Sequence, residues 1–89
     1  MNSHFRVVDA INDAVAALPF EAKIYSLSVS LKSSGAVVTV ERGRGDFASY
    51  EWAHVNPSQL YWGHYDMTET EAATDHAQRF ARLTGGALS

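Results

Sequence analysis

Between Tyr25 and Lys32 the chain alternates without a break: Tyr25, Leu27, Val29 and Leu31 are interleaved with Ser26, Ser28, Ser30 and Lys32. Successive side chains of a strand point to opposite faces, so this period of two fits a strand and cannot line one side of a helix. It predicts an apolar face turned to a core and a serine-rich face turned to water. Ser33-Ser34-Gly35 follows as a hairpin turn in which Gly35 supplies the positive φ. The β-branched run Ala36-Val37-Val38-Thr39-Val40-Glu41 is the return strand. After a second turn, Arg42-Gly43-Arg44-Gly45-Asp46, residues 47–55 form a third strand carrying Tyr50 and Trp52. Both alternating sets of that strand hold large apolar side chains, so its facing stays open. Asn56-Pro57-Ser58 interrupts the chain again. Residues 60–65 read either as a short fourth strand or as an aromatic loop across the sheet edge.

Helical spacing flanks this meander. Phe5, Val8, Ile11, Val15 and Leu18 recur every three or four residues and predict a helix over 4–17. Ser3 is its N-cap, and Pro19 stops it by disfavouring the α conformation at Leu18. Towards the C-terminus, Asp66 with Glu69, or Thr68 with Glu71, satisfies the spacing of a capping box. Ala73, His76, Ala77, Phe80 and Leu83 form the inward stripe of the helix that follows, Asp75 and Arg79 pair on its outer face, and Gly85-Gly86 ends it. The expected fold is a two-layer α+β domain, α-β-β-β-(β)-α. Both helices are expected to cover the single apolar face of an antiparallel meander. One compact domain spans 1–86, and residues 87–89 are a frayed tail.

Composition narrows the chemistry. The 89 residues contain no cysteine, which excludes disulfides, thiolate metal sites and a cysteine nucleophile. No apolar run approaches the roughly 20 residues that span a bilayer, and residues 1–6 carry no charged-then-apolar leader pattern. A cytoplasmic domain is expected. Seven Lys/Arg against ten Asp/Glu give a formal charge of −3, the wrong sign for a general phosphate binder. His4, His54, His64 and His76 show no metal-ligand spacing. Nothing implies a cofactor. His64 with Asp66 is the one pair that acid–base chemistry could use, and no nucleophile or phosphate-cradling loop accompanies it. Arg44-Gly45-Asp46 spells the integrin-recognition tripeptide without any sign of secretion; a solvated turn is the expected reading.

Six of the ten aromatic residues fall between 47 and 65: Phe47, Tyr50, Trp52, Tyr61, Trp62 and Tyr65. One face of a small sheet cannot bury them all, and Trp and Tyr are the residues interfaces favour. Beside them Asp66, Glu69, Glu71 and Asp75 follow one another with no intervening Lys or Arg. The expectation is a non-enzymatic module whose surface, Tyr61, Trp62, Tyr65, Asp66, Glu69, Glu71 and Asp75, fits a basic, partly hydrophobic site on a larger protein. The acids have a plainer use too, since they suit the positive end of a helix dipole. The serine-rich strand 25–32 should lie at a sheet edge guarded only by Lys32, which favours a homodimer.

The α-β-β-β-α order resembles the double-stranded-RNA-binding domain over nearly the whole chain. In that family the second helix opens with a lysine-rich motif that grips phosphates. The matching positions here, Thr68-Glu69-Thr70-Glu71-Ala72, are acidic. The resemblance therefore concerns topology. Nucleic-acid binding through Arg42 and Arg44 is the alternative function. In its style (compact, acidic, cysteine-free, without a catalytic signature) the chain is also similar to small inhibitors of phages and mobile elements, among them anti-CRISPR proteins.

Overall fold

A computed structural model describes residues 7–85. The elements are α1 (Val7–Ala16), β1 (Lys23–Ser30), β2 (Gly35–Glu41), β3 (Phe47–Ala53), β4 (Tyr61–Met67) and α2 (Glu69–Leu83). The four strands make one antiparallel sheet in the order β1-β2-β3-β4. The α+β class and the helix–meander–helix order are as the sequence predicts, and residues 61–65 of the segment left open belong to a fourth strand, with Leu60 just before it. His4, Phe5 and the Ser3 cap lie outside the described residues.

The layering differs from the expectation. Ala36, Val38 and Val40 of β2 and Ala48, Tyr50 and Trp52 of β3 form one buried cluster with Ile11 and Val15 of α1. The alternate residues face the other way. Thr39 meets His76 of α2, Glu51 meets Arg79, and Phe47 packs with Met67 and Ala72. The helices thus cover opposite faces, and the domain has three layers rather than two. The physical reason lies in β2, whose residues 35–40 are all buried. A strand apolar on both faces needs a cover on each.

Opposite covers also overturn the facing read for β1. Lys23 and Ile24 pair with Glu41 and Val40, but Ser26 pairs with Thr39, so Tyr25 is an extra residue in a bulge. The bulge turns Tyr25 to the α2 side, where its ring meets Phe47 edge-on at 4.8 Å and its hydroxyl donates to the Glu69 carboxylate. Leu27 and Val29 remain on the α1 side. The serine face is not wet. Ser30 is buried, and Ser28 bonds His76 at 2.9 Å beneath α2. Leu31, past the strand end, is 81% exposed. The positive φ of the hairpin falls on Ser34 (58°), not on Gly35. Gly35 instead opens β2 where a Cβ would stand 3.0 Å from the Trp52 carbonyl oxygen and 3.1 Å from Leu83. Its missing side chain is what lets the end of α2 close on the sheet.

Both helical stripes keep most of their predicted members (Ile11, Val15 and Leu18 for the first helix, His76, Phe80 and Leu83 for the second) and differ at the rest. In α1 the inward residues are Val7, Ala10, Ile11, Ala14 and Val15, which leaves Val8 exposed. In α2 they are Ala72, His76 and Arg79, with Asp75, Phe80 and Leu83 half-buried, while Ala73 and Ala77 face solvent. Asp75 and Arg79 therefore point inward, against the expectation. Ile11→Ala should cost about 2–5 kcal/mol of stability by creating a cavity. Val8→Ala should stay within about 0.5 kcal/mol. Denaturant melts of the two variants check the facing, and comparable losses would contradict it.

Candidate functional site

Capping sets where α2 begins. Of the two capping boxes the sequence allows, the fold uses Thr68 with Glu71: the Glu71 N–H donates to Thr68 Oγ1 (3.1 Å), and the Thr68 N–H donates to Glu71 Oε1 (2.9 Å). From there α2 runs back along the sheet. Its residues 69, 76 and 83 meet Tyr25, Ser28 and Ser33 on the β1 side, and 72, 75 and 79 meet β3 and β4.

The seam beneath α2 is polar. His76 is buried between Ser28 Oγ on Nε2 (2.9 Å) and Thr39 Oγ1 on Nδ1 (2.8 Å), and Thr39 Oγ1 also meets Ser49 Oγ at 2.7 Å. Burial lowers the His76 pKa from 6.5, outweighing the opposing pull of the Asp75 charge. Buried Arg79 donates from Nε to Asp75 (2.7 Å) and from Nη1 to Glu51 (3.2 Å), and His64 Nδ1 lies 3.3 Å from the other Asp75 oxygen. Burial pushes the Asp75 carboxyl up. The hydrogen bonds from Arg79 and His64 outweigh that and hold it below its ordinary range.

The outer edge, β4, carries two bulges. Met67, His64 and Tyr61 pair with Phe47, Ser49 and Glu51, three residues on β4 for every two on β3. Each bulge contains one left-handed residue: Trp62 (φ 55°) and Asp66 (φ 61°). Asp tolerates that conformation, and Asp66 is held there by Arg42 Nη2 at 3.1 Å. A bulky Trp tolerates it poorly. Trp62 is nonetheless 73% exposed, so it is no core plug. With Tyr61, Val55, Ala53 and Leu83 it borders an apolar cleft of about 300 Å³ at the C-terminal end of α2. Nothing in the spacing of Val55 or Leu83 announces this; the cleft exists because the β3–β4 loop and the helix end meet there.

A second groove of about 480 Å³ runs between β4 and α2, lined by His64, Asp66, Thr70, Glu71, Asp75 and Gln78 among others. By strand rise, Trp62 and Asp66 lie at most about 13 Å apart along β4, so one partner could span both hollows. The acids are already engaged, however. Glu71 caps the helix, Asp75 pairs with Arg79, Asp66 with Arg42, and Glu69 accepts from Tyr25 on the far side of α2. His64 bonds Asp75 rather than Asp66, which undoes the acid–base pair drawn from sequence.

Tyr65 and Arg42 belong to the α1 face. The Arg42 guanidinium lies 4.9 Å from the Phe20 ring centroid and 5.0 Å from that of Tyr65, and it also pairs with Asp46 at 2.9 Å. Tyr65 in turn meets the buried Tyr50 ring edge-on at 5.6 Å. Arg42 is thus a packing residue, not a free phosphate grip; Arg44 is exposed on the same turn. Asp46 of the Arg44-Gly45-Asp46 tripeptide is held by Arg42. Among the described residues no group of three or more metal-ligating side chains could hold an ion, and no helix is long and apolar enough to cross a membrane. No protein-family model, curated protein or solved structure matches the chain.

The polar seam makes stability acid-sensitive. His76 is held neutral when folded but takes a proton near pH 6.5 when unfolded, so its contribution is complete above 6.5 and is lost as pH falls below. The Asp75 contribution is present above its ordinary 3.8 and is lost as pH falls through its lower folded value. Melting temperature should therefore begin to drop between about pH 7 and 5, and His76→Gln should flatten that upper step. A wild-type Tm constant over this range would contradict the assignment.

Proposed function

We propose that the protein is a non-enzymatic interaction module that docks a larger protein on its β4–α2 surface, with Trp62 as the anchor. Such a module would act as an inhibitor or regulator of its partner, in the manner of the small phage and mobile-element proteins it resembles in style. The observation that carries this reading is Trp62 itself: a 73% exposed indole, in a left-handed conformation that a bulky residue rarely adopts, beside an apolar cleft. Backbone strain and exposed aromatic surface both cost stability, and both are features that cluster at binding sites. Tyr61 and Val55 extend the apolar patch, and the groove lined by His64, Asp66 and Glu71 supplies a polar rim.

Nucleic-acid binding draws less support. Arg42 is enclosed by Phe20, Tyr65, Asp46 and Asp66. The resemblance to the double-stranded-RNA-binding domain is also reduced by the fourth strand and by the helices lying on opposite faces.

Affinity capture from the source cell followed by titration of the captured partner provides the test. Trp62→Ala should weaken binding by at least about 2 kcal/mol, mainly through faster dissociation, while the protein melts close to wild type. Trp62→Gly should melt at or above wild type, because glycine relieves the positive φ, and should bind as poorly. Full binding by either variant would sink the proposal. So would tight duplex binding with a steep salt slope in a shift assay.

A further inference from the structure

The two edges of the sheet are unlike. β4 is broken by two bulges with left-handed residues, a device that twists an edge away from pairing. β1 has its one bulge at Tyr25 and then runs regularly from Ser26 to Ser30. Neither proline nor a charged residue lies between Lys23 and Lys32. Among the described residues β1 pairs only with β2, so one row of its backbone N–H and C=O groups faces outward. Leu27 and Val29 are only half-buried on the α1 side, and Ser26 and Ser28 are half-buried on the α2 side. This edge carries the features that templates for strand addition share, and none of the guards that edges usually carry sits within its regular stretch.

We propose that β1 pairs antiparallel with β1 of a second copy, joining the two sheets into one of eight strands. The sequence of the edge is what selects a second copy. A two-fold axis through Ser28, perpendicular to the sheet, sets Ser28 against its own counterpart, Ser26 against Ser30, and Leu27 against Val29 on both sides of the axis. Residues directly opposite in an antiparallel pair share a face. Each face therefore meets its own kind: apolar side chains on the α1 side, hydroxyls on the α2 side. Lys23 and Lys32 lie outside this five-residue segment and set its limits. The pairing leaves β4 and Trp62 on the two outer edges of the dimer, so it stands independently of the partner site proposed above. Five paired residues make a small interface, and the association is expected to be weak and reversible.

Because the chain has no cysteine, a single introduced thiol reads the register directly. Under mild oxidation in native buffer, Ser28→Cys should form a covalent dimer, since the two positions face each other across the axis. Ser26→Cys should not. Its two copies would lie about 13 Å apart along the strand, beyond the ~7 Å Cα separation a disulfide can bridge. The wild-type sedimentation coefficient should rise with concentration, and the alternate amides between Ser26 and Ser30 that point away from β2 should gain hydrogen-exchange protection over the same range. Trp62→Ala should leave that behaviour unchanged. The wild-type measurements need no variant to fold. Monomeric sedimentation at every concentration would overturn the proposal, as would dimerisation without added protection in β1, or equal cross-linking at the two positions.

Discussion

Every other layer of the molecule answers to β2. From Gly35 to Val40 its side chains are buried on both faces, and its neighbours β1 and β3 occupy both of its edges. A strand so placed exposes no polar surface, and it persists only where both faces of the sheet are covered. Two short helices are what this chain has for that purpose, and they divide the work. α1 supplies an apolar cover through Ile11 and Val15, while α2 lies over Val37, Thr39 and the serine side of β1.

The two covers differ in kind, and that difference gives each helix its own place. The α1 side is close-packed hydrocarbon with Tyr50 and Trp52. The α2 side has Val37 and a small apolar cluster of Phe47, Met67 and Ala72, together with hydroxyls, one imidazole and the Arg79 carboxylate pairs. Such a polar layer adds less stability than hydrocarbon of the same volume, because its groups give up hydration to form it. It is demanding about alignment: a helix shifted by one residue would strand His76 and Arg79 without partners. It also makes stability depend on proton activity, which an apolar seam would not.

The sheet ends show two ways of handling exposed backbone. β4 is distorted by bulges, and the distortion lifts Trp62 into solvent beside the helix end. The same irregularity that discourages strand addition thus accompanies an exposed indole. β1 stays regular after its bulge and relies on the lysines at its ends. One edge thus presents a side chain from irregular backbone, and the other a regular row of backbone.

Much was legible from the chain itself. The period-two alternation after Tyr25, the β-branched return strand and the glycine-rich turn at 43–45 each depend on neighbours within a few residues and specified strands and a turn, while the capping spacings at 66–71 narrowed the start of α2 to two alternatives, of which the fold uses Thr68 with Glu71. The sequence also placed an aromatic surplus at 47–65, more than one face could bury. What it could not carry was which face each set would meet. Tyr25 and Val8 look like core positions, and Asp75 and Arg79 look like a solvent pair, because local spacing cannot register a bulge or a second helix on the far side of the sheet. Those contacts join residues such as Ser28 and His76, 48 positions apart. Only the closing of α2 over the serine face turned hydroxyls that read as wet into a buried polar seam, and only the packing of α1 on the other face buried Tyr50 and Trp52 while the β4 bulge left Trp62 outside.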